Sequence, residues 1–497
     1  MKLKNYLLAG TALVALSFMA ACTEEDPIAN GDGTETPGNN DDGNNDENAD
    51  GGNGETTDNI IVWPADTIVN LTNHYTVPEG KSLVIKEGVK IIVSTAGVGA
   101  NHVPVEFTVN GNLYCEGTAE KPILFSVPED ERTKENIFAG LWGGIVASST
   151  CEEMLIDHTI IEYTGGQVVE GSPAAASEVY TAGDDAYPQI TTNNINGHYV
   201  ITNSVLRNGW SDGIYLMGGN AIIANNVFAA NGYDGAEAVN VKAGCVVDVA
   251  GNVMFSPNTN GLKLSSSGQS DTRALAKIQA YNNTIINAGW RRDGEKGGGV
   301  YVEKNALANV FNNLMVNCKF RAMTPSFDIP NDPEEGYNDK SVIDYNYYAS
   351  GTQKSDVVFA DESGVAYSWE GYAYAHEDYN EGVVDAHSVI TKTQEACATN
   401  DPKFVNYPIN EVGLTDYVYQ DAWDFHVQAG SPVLTGAYNG NDATMQPYFG
   451  TSGLTVNGKT YTSPKVEARF GAYGTKSNGS LENFTLTPAS SISGEDK

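Results

Sequence analysis

The chain has 497 residues, 63 of them acidic and 28 basic, for a formal net charge of −35. That balance excludes a general nucleic-acid binder, whose phosphate contacts need clustered Lys and Arg. Charged residues are only 18% of the chain and glycine contributes 53 residues, which excludes a coiled coil or helical bundle rich in Ala, Glu, Lys, Leu and Arg.

At the start, Lys2 and Lys4 precede an apolar run from Leu7 to Ala21. At about fifteen residues it is too short to span a bilayer comfortably. It ends Met19-Ala20-Ala21-Cys22, which resembles a bacterial lipoprotein signal, with Met19 where Leu is usual. The resemblance implies a signal peptide over 1–21, acyl chains on Cys22 and an anchor in the outer membrane. Each buried CH₂ adds roughly 0.8 kcal/mol of membrane affinity, so several chains hold the protein without a transmembrane helix. Thr23-Glu24-Glu25-Asp26 resembles the export tag of surface-displayed lipoproteins in some Gram-negative bacteria, which implies a protein facing the cell exterior. The plainer reading is the start of an acidic linker. Residues 22–59 hold Gly, Asn, Asp, Glu and Thr, almost nothing apolar, and neither Lys nor Arg. Such a segment buries no core and is expected to be a self-repelling tether with a reach of roughly 30–35 Å.

From 60 onward the chain alternates short strands with glycine turns. Tyr75 to Val89, Phe107 to Phe125, Leu141 to Ile145 and Leu155 to Gly165 all read this way. After Val200 the pattern becomes a repeat. Apolar runs begin at Val205, Val227, Val253, Thr284 and Leu314, each just after Ser204, Asn226, Asn252, Asn283 or Asn313; that position recurs every 22 to 31 residues. Between these lie the alternating strands 214–216, 239–241, 262–264 and 300–302. Short strands repeating at this period, with no helical periodicity between them, predict a parallel β-helix rather than a propeller or sandwich. An Asn at one turn of every coil satisfies turn backbone by bonding along the axis, and Asn tolerates the left-handed conformation of tight turns.

The early stretches resemble the N-terminal coils of bacterial surface proteins with right-handed, pectate-lyase-like β-helices. Asp401 to Val405, Asp424 to Leu434 and Phe470 to Tyr473 resemble the closing coil and final strand of that family. The resemblance implies an all-β, right-handed parallel β-helix over 60–475. Within it, 321–400 reads as a long insertion with some strands, a lid or partner surface, and 401–475 as closing coils; 476–497 is a tail. Removing Cys22 leaves Cys115, Cys151, Cys245, Cys318 and Cys397, an odd, scattered set that predicts buried free thiols rather than a disulfide framework.

Alternation places Tyr215, Asn240, Lys263 and Tyr301 on the outside of successive coils, with Asp212 and Glu237 three residues before the first two. Trp210, Tyr233 and Trp290 stand in the preceding turns, and 289–299 is the longest such turn, carrying Arg291, Arg292, Asp293, Glu295 and Lys296. The family resemblance implies that this strand and its preceding loop form the substrate groove. As a binding face, Trp210, Tyr233 and Trp290 stack on sugars while Asp212, Tyr215, Glu237, Asn240, Lys263 and Tyr301 surround the ligand. As a polysaccharide (uronate) lyase, Lys263, Arg291 or Arg292 is the base, with Ca²⁺ held by Asp212, Glu237 and Asp293. As a glycosidase, two of Asp212, Asp234, Glu237 and Asp293 pair as acid and base, but a Gly-His-Gly motif is missing. The plainest reading is that these groups only shield and solvate the sheet. Aromatics beside polar groups favour a monomeric, non-catalytic binder of extracellular polysaccharide or of a surface partner, with no cofactor. Histidines at metal-binding spacing and a dinucleotide fingerprint are missing.

Overall fold

The computed structural model describes residues 56–57, 59–294, 296–323, 336–355, 366–373 and 383–476. The expected signal peptide, Cys22, almost all of the expected tether, Glu295 and the residues beyond Lys476 lie outside the described residues.

The chain winds through three strands per coil. One coil runs Gly219–Ala224, Val227–Asn231 and Val239–Val241. Stacking these coils gives three sheets. Sheet A has ten strands, from Thr56–Thr57 to Leu307–Phe311; sheet B has eleven, from Ile68–Leu71 to Val389–Ile390; sheet C has eight, from Tyr75–Val77 to Gly298–Glu303. Apart from the antiparallel pairing of Thr56–Thr57 with the next strand, neighbours in the three sheets are parallel. This is the expected right-handed parallel β-helix. At roughly 4.8 Å per strand, sheet B rises about 48 Å. Inward side chains such as Ile223, Phe228, Val239 and Val241 fill one continuous core.

The first sheet-to-sheet corner carries the asparagine column. The Asn226 N–H and side-chain amide both donate to Asn252 Oδ1, at 2.9 and 3.0 Å. Asn252 does the same to Asn283, Asn283 to Asn313 and Asn313 to Asn346. Each amide so serves the next rung and leaves few turn groups unpaired in the interior. The two roles given to one Asn are divided between neighbours. Asn203, Asn225, Asn282 and Asn312 take φ of 49° to 59°, and the residue after each forms the column.

Within 321–400, expected to be a long insertion with some strands, the described segments join the helix: Tyr347–Ala349 and Val389–Ile390 add two rungs to sheet B, and Asn346 prolongs the column. Tyr372, on the short helix Ser368–Ala373, packs into the end of the core. Residues 401–475 are not coils. They form two antiparallel pairs, Phe404–Asn406 with Asp424–Val427 and Leu454–Val456 with Lys459–Tyr461. This arm runs back along the outside of the helix. Phe404, Phe425 and Phe470 cover the outer face of sheet B at Val227, Phe255 and Leu314. Leu454 and Val456 cover sheet A at Tyr114, Leu155 and Ile222. The reason is in the strands, many of which are apolar on both faces, so their outer faces also need burial. The five described cysteines are free and buried, as expected.

Candidate functional site

Sheet C has the polar outer face. Thr191, Tyr215, Asn240, Lys263 and Tyr301 pair in register on successive strands, the stripe that the alternation predicts. The stripe is not an open groove. Tyr215 is 8% exposed and Asn240 4%. Part of the cover is residues 166–187, which pack Val168, Ala174, Val179 and Tyr187 around Val146. Tyr180 from this strap lies 2.6 Å from the Thr191 hydroxyl and edge-on to Tyr215. Glu106 anchors the strap by accepting from Ala174 N–H at 2.8 Å and Tyr187 Oη at 2.7 Å.

Beside the stripe, Asp212 and Glu237 are brought together and buried. Asp212 Oδ1 accepts the Glu237 backbone N–H. Asn240 Nδ2 donates to both carboxylates, at 3.4 Å to Asp212 and 3.2 Å to Glu237, and Asn260 Nδ2 reaches Glu237 at 3.1 Å. Burial, then the Glu237 charge, pushes the Asp212 carboxyl well above its ordinary range. These acids form a buried hydrogen-bonded network rather than a surface ligand set.

The remaining candidates separate. Lys263 Nζ is 3.5 Å from Glu303 and the two form an ion pair with little exposure. Trp290, expected to stack on a ligand, is fully buried, and its indole N–H donates to the Asn317 carbonyl at 2.6 Å. Its turn folds back on itself, because Gly289 at φ 88° sits so close to Gly297 and Gly298 that a Cβ there would lie 2.5 Å from Gly298 N. Lys319 holds the same turn shut, donating to the carbonyls of Arg292, Gly294 and Lys296 at 2.7, 2.5 and 3.0 Å. Arg291 spends its N–H groups on Gly232, Asn231 and Ser256 oxygens, and burial lowers its guanidinium to about 9. It is a strut between turns, not a group facing a substrate. Arg292 pairs with Asp234. Among the described residues, three or more His, Cys, Asp or Glu side chains do not gather in a way that suits a metal ion, so Asp293 does not join Asp212 and Glu237 as a Ca²⁺ set.

What remains at the surface is an aromatic corner between sheets B and C. Trp210 and Tyr233, from consecutive coils, stack with centroids 4.6 Å apart and planes 26° apart. Tyr233 is 55% exposed. Phe138 lies 5.8 Å from Tyr233 and 5.0 Å from Tyr417, and Arg291 sits over Phe138 at 4.8 Å. The sequence points to Trp210 and Tyr233 through the repeat. Phe138 comes from an irregular loop and Tyr417 from the returning arm, so no periodicity marks them. Chemically, the corner offers ring faces suited to the apolar face of a sugar, with polar side chains at the rim. No family model, curated protein or solved structure matches this chain.

Proposed function

We propose that this protein is a lipid-anchored β-helix displayed on a bacterial outer surface, where it binds polysaccharide without turning it over. The observation that carries the binding reading is the Trp210–Tyr233 stack with Tyr233 open to solvent. Aromatic rings held rigidly by neighbouring coils stack on a sugar at little cost in side-chain freedom, because both rings are fixed before the ligand arrives. The candidate bases of a lyase are each engaged within the protein, Lys263 by Glu303, Arg291 by carbonyls and Arg292 by Asp234, which supports binding over catalysis. The N-terminal sequence supplies the anchor: Cys22 follows an apolar leader and precedes an acidic tether.

Retention of the full-length protein on insoluble polysaccharides tests the reading. Tyr233→Ala and Trp210→Ala are expected to weaken retention about tenfold each, equivalent to about 1.4 kcal/mol. Retention unchanged in both variants sinks it. Cys22→Ala is expected to release the protein from the membrane fraction into the soluble one.

A further inference from the structure

We infer that the aromatic corner takes an uncharged glycan, one presenting sugar faces and hydroxyl donors but no carboxylate or sulfate. The inference rests on the binding reading above and adds the ligand's chemical class. Its basis is what the corner's charged groups are already doing. Arg291 directs its N–H groups to the carbonyls of Gly232 and Ser256 at 2.7 Å each, and to Asn231 at 3.3 Å. Arg292 is paired with Asp234. Lys319 is held by three carbonyls of the turn, and Lys296 on that turn is engaged as well. An acidic sugar needs a cation or a set of N–H donors that it can claim on arrival. The cations brought to this corner are bound to the protein's own oxygens, and recruiting one would break turn contacts that hold the corner together.

The rim is instead rich in acceptors. The Asp234 side chain is 65% exposed, and a carboxylate has about four lone-pair sites, more than its Arg292 contact fills. Sugar hydroxyls donate to such an oxygen, whereas a uronate brought beside it meets like charge. The molecule's net charge of −35 adds repulsion at longer range, screened beyond about 8 Å at physiological salt. Rings plus acceptors, with the cations committed, match a neutral chain of sugars.

Affinity electrophoresis of the full-length protein tests this, in gels containing xylan, glucomannan or mixed-linkage β-glucan on one side and polygalacturonate or alginate on the other. Retardation is expected in at least one neutral gel. It should change less than about twofold between about 20 mM and about 500 mM NaCl, because no ion pair forms on binding. Tyr233→Ala should reduce it about tenfold and Asp234→Asn severalfold. Retardation confined to the anionic gels, weakening with salt, overturns the inference; if Tyr233→Ala abolishes it there, the binding reading still stands. Retardation in none of the gels overturns both.

Discussion

Trp210 and Trp290 look alike in the sequence, since each follows an Asn-rich strand and stands at the same turn. Their fates differ because of the residues that follow. Trp210 is followed by a short turn, Ser211-Asp212-Gly213, and stays beside Tyr233. Trp290 is followed by a long glycine-rich turn that closes over it through the Gly289–Gly297 approach and the Lys319 clamp. Alternation along a strand says which way a strand residue points; it says nothing of a turn that doubles back. The consequence is a stability prediction. Trp290→Ala removes a fully buried indole and leaves the Asn317 carbonyl without its donor, so it should cost about 3–5 kcal/mol. Tyr233→Ala, at an exposed position, should stay within about 0.5 kcal/mol of the parent. Urea unfolding of both variants checks this, and a Trp290→Ala cost no larger than that of Tyr233→Ala would contradict the burial.

At the scale of elements, the strands and the asparagine column were legible because both recur with the coil. Residues 214–216, 239–241 and 262–264 pair in the register that their alternation requires. The coils after Val316 were less legible. Segments between 321 and 389 separate Cys318 from its next rungs, so the spacing no longer repeats even though Asn346 keeps the column. The returning arm was misread for a different reason. Its strands have the composition of a coil, but their partners are the outer faces of sheets A and B, far away in sequence. Those outer faces carry Val205, Val227, Phe255, Ile286 and Leu314. Stopping the chain after residue 400 should expose them as one contiguous apolar strip, the kind of patch that drives association. The expected outcome is that the truncated protein elutes as aggregate in size-exclusion chromatography while the parent does not. A monodisperse, folded truncation would show that the arm is dispensable for covering the helix.

For the whole molecule, acidity and burial act together on the pH dependence of stability. Asp248, on sheet A, is where the arm fastens. Its carboxylate accepts Tyr448 N–H at 3.0 Å, Phe449 N–H at 2.8 Å and the Ser463 hydroxyl at 2.6 Å. Burial raises its carboxyl from 3.8 to about 6 despite these donors. Burial likewise raises Glu106, and burial with the Glu237 charge raises Asp212. A carboxyl raised in the folded state binds its proton more tightly there than in the unfolded chain. Its contribution is therefore fully present below 3.8 and is lost as pH rises through about 6. For Asp248 alone the difference is about 3 kcal/mol between the two ends of that window. Self-repulsion at a net charge of −35 weakens on acidification and works in the same direction. Unfolding midpoints in urea should therefore rise between about pH 7.5 and about pH 5. Asp248→Asn separates the local effect from the global one. Its amide cannot accept from all three donors, so the variant is weaker throughout, and it has no proton to gain. The stability gap between parent and variant should widen as pH falls, since only the parent gains from protonating residue 248. A gap that stays constant across the window would mean that this carboxyl keeps its ordinary affinity for protons.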